Sequence, residues 1–149
     1  MSITERVRFI NAYKKISTEE PFKTRYKELI MDHPKMAARI HNKEHFFPWH
    51  RLFLLNFENL LAQVDPNVTL PYWDWSLSHK SPWRSSALDI WTALPWGLGG
   101  DGDKLTQCVI SGPFASSKWS VATRDGRKSC LRRKFNGRIT YRRYQDART

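Results

Sequence analysis

At 149 residues, with 40 % apolar and 13 % aromatic content, the chain has the length of one domain or of part of a larger one, and it can bury a core. That composition excludes a wholly disordered polymer, and no run approaches the roughly 18 apolar residues of a membrane span. The net charge of +11 is concentrated at one end: residues 124–149 hold ten Lys/Arg against Asp125 and Asp146, a surplus of +8, leaving about +3 on residues 1–123.

The opening residues carry charges at Glu5, Arg6 and Arg8 where a signal peptide needs an apolar run, so the sequence as it stands predicts no secretory leader. Residues 4–15 read as a first helix capped by Thr4, with Val7 and Ile10 on its apolar face. Ser17 to Pro21 breaks it and starts a second. Phe22, Tyr26, Leu29, Ile30 and His33 then recur at helical steps, and Pro34 predicts the end of that helix at about His33. Residues 34–49 read as a short helical piece and a loop, with Pro48 just before Trp49 and His50. Leu52, Leu55, Phe57, Leu60 and Leu61 predict a strongly apolar helix over 51–64, stopped at Asp65-Pro66-Asn67. Val68 to Trp75 reads as extended, and Pro71 suits it poorly to a central strand. Residues 76–104 read as loop, with one helical turn at 88–93. There is no internal repeat.

Imidazole is the commonest neutral nitrogen ligand for copper and zinc. His33 on a helix face, His41 in the following loop and His50 at the start of the next helix could meet at one point. Asp74 or Glu58 would then serve as acceptors for their second ring nitrogens. The plainer alternative is that a histidine on an apolar helix face is a packed core residue. His45 reads as a solvated side chain and His79 as surface. The aromatic run Phe46, Phe47, Trp49, Phe53 and Phe57 reads as core packing, and Trp73 and Trp75 as structural.

The string from His41 through His45-Phe46-Phe47-Pro48-Trp49-His50-Arg51 to Phe57-Glu58, followed by Pro71-Tyr72-Trp73-Asp74-Trp75, resembles the first copper-binding half of the tyrosinase and molluscan haemocyanin family. The likeness continues through Asp89-Ile90-Trp91, Gly99-Gly100, Cys108, Gly112-Pro113-Phe114, Trp119, Leu131-Arg132-Arg133 and Gly137. The segment from Tyr26 to His33 resembles invertebrate tyrosinase-like members.

The resemblance implies a mainly α fold, a partial four-helix bundle with long irregular loops over residues 1–137; the basic run over 138–149 no longer matches the family and reads from its charge as a disordered tail. It implies His33, His41 and His50 as ligands to one copper ion, and a disulfide between Cys108 and Cys130. It also implies a domain that oxidises phenols and o-diphenols with dioxygen, or carries oxygen. Arg39 stands where some members have a cysteine bonded to the second ligand, so that thioether is excluded. The family's second copper site needs later histidines, and this sequence has none after His79. The chain is therefore expected to be incomplete, inactive alone, and to need a second half or another chain. With part of the 51–64 helix uncovered, it is expected to aggregate or to assemble. The alternatives are a non-catalytic structural or interaction relative, or binding of an anionic partner through the basic tail. For nucleic acid, a solvated charge run is the preferred reading. Family members are often secreted or vesicular, and the sequence leaves the compartment open.

Overall fold

The computed structural model describes residues 1–78, 80–84, 86–123 and 127–135; His79 and the basic tail lie outside the described residues. Helix α1 spans Ile3–Thr18. Its cap is Ser2 rather than Thr4: the Ser2 hydroxyl accepts the Glu5 N–H at 3.2 Å, and the Glu5 carboxylate accepts the Ser2 N–H at 2.6 Å. This reciprocal pair satisfies two backbone donors at the helix start.

Helix α2 spans Phe22–Ile40 and passes straight through Pro34, where the sequence predicts its end. A proline inside a helix removes one N–H and crowds the preceding turn, at about 3 kcal/mol. Here the ring is exposed, and the turns beyond it bury Ile40 to 2 % exposure, with Met36 and Ala37 half-buried. Tertiary packing offsets the local penalty.

Helix α3 spans Phe46–Ala62, starting five residues before the predicted Arg51. Pro48 falls in its first turn, where a missing N–H has no intrahelical partner to lose. The Trp49 N–H already donates to the His45 carbonyl at 3.1 Å. The stretch 34–49 is thus two helix ends joined by a turn at residues 41–45.

The three helices pack around Ala12, Ile16, Tyr26, Leu60, Leu61 and Val68. A second cluster, Ile10, Phe114 and Trp119, joins the first through Phe9 and Tyr13. Tyr13 is the hub. Its ring lies edge-on to Tyr26 at 5.8 Å and to Phe114 at 5.5 Å, and its hydroxyl is 2.9 Å from that of Tyr26. At the far end of α3, Arg8 grips Asp65 with two bonds of 2.6 and 2.7 Å.

Beyond α3 the described residues are mostly irregular. The Leu70 N–H donates to the Glu58 carboxylate at 2.7 Å, holding the extended segment to α3. A four-residue helix, α4, covers Trp75–Ser78. Residues 88–93 form turns and bends rather than a helical turn. Strands β1, Val121–Ala122, and β2, Lys128–Ser129, make one short antiparallel pair. Cys108 and Cys130 form a disulfide. The Trp119 indole N–H donates to the Ser17 hydroxyl at 2.8 Å, tying this last third back to α1. Arg133 donates to the carbonyls of Leu98, Gly99 and Gly100 while its guanidinium lies 4.8 Å from the centre of the Trp91 ring. At Gly97 an added Cβ would sit 2.1 Å from the Thr92 carbonyl oxygen, so this turn admits no side chain. Among the described residues, the result is a mainly helical fold of three packed long helices with almost no strand.

One face of α3 has no cover among the described residues. Leu52, Leu54 and Leu55 are 51–56 % exposed and Phe47 is 80 % exposed. Phe47 is thus not the core residue that the aromatic run suggests.

Candidate metal centre

The two proline-containing segments place the three imidazoles. His33 sits inside α2, one residue before Pro34, and His41 caps the C-terminus of the same helix, its backbone N–H donating to the Ala37 carbonyl at 3.0 Å. His50 lies in the second turn of α3. Because α2 continues past Pro34, His33 and His41 occupy one rigid element about two turns apart, and α3 returns antiparallel to bring His50 opposite them.

One nitrogen from each of the three lies within 4.8 Å of the other two. The ring centroids are 5.1 Å apart for His33 and His41, 5.4 Å for His33 and His50, and 5.5 Å for His41 and His50. The Nε2 atoms of His33 and His50 are separated by 3.4 Å. Two imidazole nitrogens each about 2.0–2.1 Å from a single ion stand roughly 3.3–3.6 Å apart, so this pair fits one small cation. An all-imidazole donor set suits copper or zinc and not the hard cations that take oxygen ligands.

Burial lowers the pKa of His33, and the facing His41 and His50 lower it further by charge repulsion. Both effects favour the neutral ring, the form that binds metal. Aromatic rings line one side of the cluster: Trp49 and Phe53 lie 5.7 and 6.0 Å from His33, and Phe46 lies 4.2 Å from His50.

The anticipated imidazole acceptors, Asp74 and Glu58, are engaged elsewhere. Glu58 holds Leu70, and Asp74 accepts the Ser76 N–H at 3.1 Å. The acceptor for His50 is the Phe46 carbonyl, 2.7 Å from Nδ1. That partner lies one helical turn back, and it is visible in the sequence only once α3 is started before Pro48. His45 is exposed at the start of α3, 3.6 Å from the Glu44 carboxylate, and takes no part in the cluster.

A helical hairpin that brings three histidines together against a wall of aromatic rings defines a class of domain with a preformed nitrogen site able to hold a metal ion. The family model described as the common central domain of tyrosinase matches residues 12–148, and the chain belongs to the tyrosinase family. It is 36 % identical over 142 residues to a tyrosinase of Streptomyces lincolnensis, covering 92 % of this chain and 50 % of that protein. It is 34 % identical over 146 residues to a tyrosinase of Streptomyces antibioticus, covering 94 % and 51 %. A grixazone synthase of Streptomyces griseus is 46 % identical over 72 residues, covering 47 % of this chain and 21 % of that protein. The chain thus spans about half the length of the two tyrosinases. The likeness of Tyr26 to His33 to invertebrate members finds no support in these matches. Among the described residues, no helix is long and apolar enough to cross a membrane.

Proposed function

We propose that His33, His41 and His50 hold a single copper ion, and that the chain forms the first copper-binding half of a domain that oxidises phenols and o-diphenols with dioxygen. The observation that carries this reading is the convergence of three ligand nitrogens within 4.8 Å, in a chain of this family. Copper, when bound, supplies one-electron exchange between dioxygen and the phenol. The protein's part is to present neutral nitrogens from two rigid helices and to keep one side of the site dry with Trp49, Phe53 and Phe46. In this reading residues 1–137 belong to the copper domain and 138–149 to a separate basic tail, and the rest of a paired site comes from a second half or another chain.

The test is reconstitution with copper followed by metal analysis and electron paramagnetic resonance. About one copper per folded chain is expected, lost in His41→Ala and His50→Ala, with no catechol oxidation by the chain alone. A folded chain that retains no copper, or that retains it undiminished in both variants, refutes the assignment. The exposed strip of Leu52, Leu54 and Leu55 favours a second reading, a non-catalytic relative that binds a protein partner. That reading predicts a folded chain that captures no metal.

A further inference from the structure

Phe46 touches the histidine cluster in two independent ways. Its carbonyl oxygen lies 2.7 Å from Nδ1 of His50. Its ring packs 4.2 Å from the His50 ring and 5.9 Å from the His41 ring, centroid to centroid. It thereby contacts one imidazole from each of the two helices.

The chemistry of the first contact fixes a proton. A carbonyl oxygen can only accept a hydrogen bond, so Nδ1 of His50 must carry the hydrogen. In the neutral ring the lone pair then resides on Nε2, and Nε2 is the atom that stands 3.4 Å from Nε2 of His33. Free histidine favours the other tautomer, with the proton on Nε2, which would aim a hydrogen instead of a lone pair into the cluster. The second contact fixes angles. A ring wedged against His41 and His50 limits rotation of both about their Cβ–Cγ bonds, while Trp49 and Phe53 pack against His33 and Trp49 also packs 5.1 Å from His50.

We propose that Phe46 is the positioning residue of the site: its carbonyl selects the Nδ1–H tautomer of His50, and its ring sets the orientation of His41 and His50, before any metal arrives. The value of this arrangement for copper rests on the function proposed above. The tautomer itself does not depend on it.

Two measurements on the whole chain separate the two. Long-range nitrogen–proton correlation NMR of the metal-free, ¹⁵N-labelled protein, at a pH where imidazoles are neutral, reads the tautomer directly. A single His50 form with a protonated Nδ1 is expected; an averaged or Nε2-protonated ring overturns the carbonyl's role. Cupric titration of Phe46→Leu and Phe46→Tyr, followed by electron paramagnetic resonance and thermal melts, reads the ring. Leucine keeps the carbonyl and removes the aromatic face, and should weaken copper binding about 10- to 100-fold with a changed copper hyperfine splitting. Tyrosine should restore both. A leucine variant that melts lower yet binds copper with unchanged affinity and spectrum shows the ring to be merely structural and overturns that half. Wild-type protein with the Nδ1–H tautomer but no copper uptake would defeat the copper reading and leave the tautomer assignment standing.

Discussion

The paired hydroxyls of Tyr13 and Tyr26 offer a sharp test of what holds the three helices together. They lie 2.9 Å apart in the middle of the helical core, and burial raises the pKa of both. Replacing one tyrosine by phenylalanine removes a hydroxyl with almost no change in volume, but it strands the partner. Leaving a buried polar group unpaired costs about 1–3 kcal/mol, whereas removing both partners together is close to neutral. For a chain of this size each kcal/mol moves the melting temperature by about 2–4 °C. Tyr13→Phe and Tyr26→Phe should therefore each melt roughly 2–12 °C lower, and the double variant should recover most of that loss. Circular dichroism melts or chemical denaturation of the four proteins give the coupling energy directly. Additive losses, with the double variant the least stable, would refute the view that this bond is a closed polar pair inside the core.

Three further outcomes follow from other contacts. The Arg8 guanidinium, helped by the Asn67 N–H, holds the Asp65 carboxyl at about 2, below its ordinary 3.8. A depressed carboxyl adds stability that is present above pH 3.8 and lost as the pH falls towards 2, so Asp65→Asn should flatten the acid unfolding curve in that window; an unchanged curve would show that the pair contributes nothing. The Cys108–Cys130 disulfide spans 22 residues of sequence, which corresponds to about 3 kcal/mol of loop entropy, and denaturation midpoints should fall on reduction or in Cys108→Ser/Cys130→Ser. Leu52 and Leu55 are each about half exposed, so Leu52→Glu/Leu55→Glu should cost under about 1.5 kcal/mol per site while reducing self-association in sedimentation runs; unchanged association would place the sticky surface elsewhere.

Much of the scaffold is legible in the residues because apolar periodicity and helix stops act locally. Ile10 in α1, Tyr26 in α2 and Leu60 and Leu61 in α3 declare their faces, and Asp65-Pro66-Asn67 ends α3 as its turn chemistry predicts. Both prolines mislead for the same reason. Pro34 reads as a stop because the burial of Ile40, six residues on, is invisible locally. Pro48 reads as loop because a proline in a first turn and one in a loop present the same dipeptide. These two errors hide how His33, His41 and His50 come together, although the three are recognisable as a set. Assigning Asp74 and Glu58 as acceptors fails because side-chain chemistry says nothing about a backbone carbonyl such as that of Phe46. The exposure of Phe47 beside the half-buried Phe46 likewise depends on which way α3 faces.

The tie between Trp119 and Ser17 has a consequence for synthesis on the ribosome. Every helix that carries the histidine trio lies within the first 62 residues, and its packing partners are near neighbours in sequence. Those helices can dock while the remainder is still in the exit tunnel, and the indole closes over α1 only when the late segment emerges.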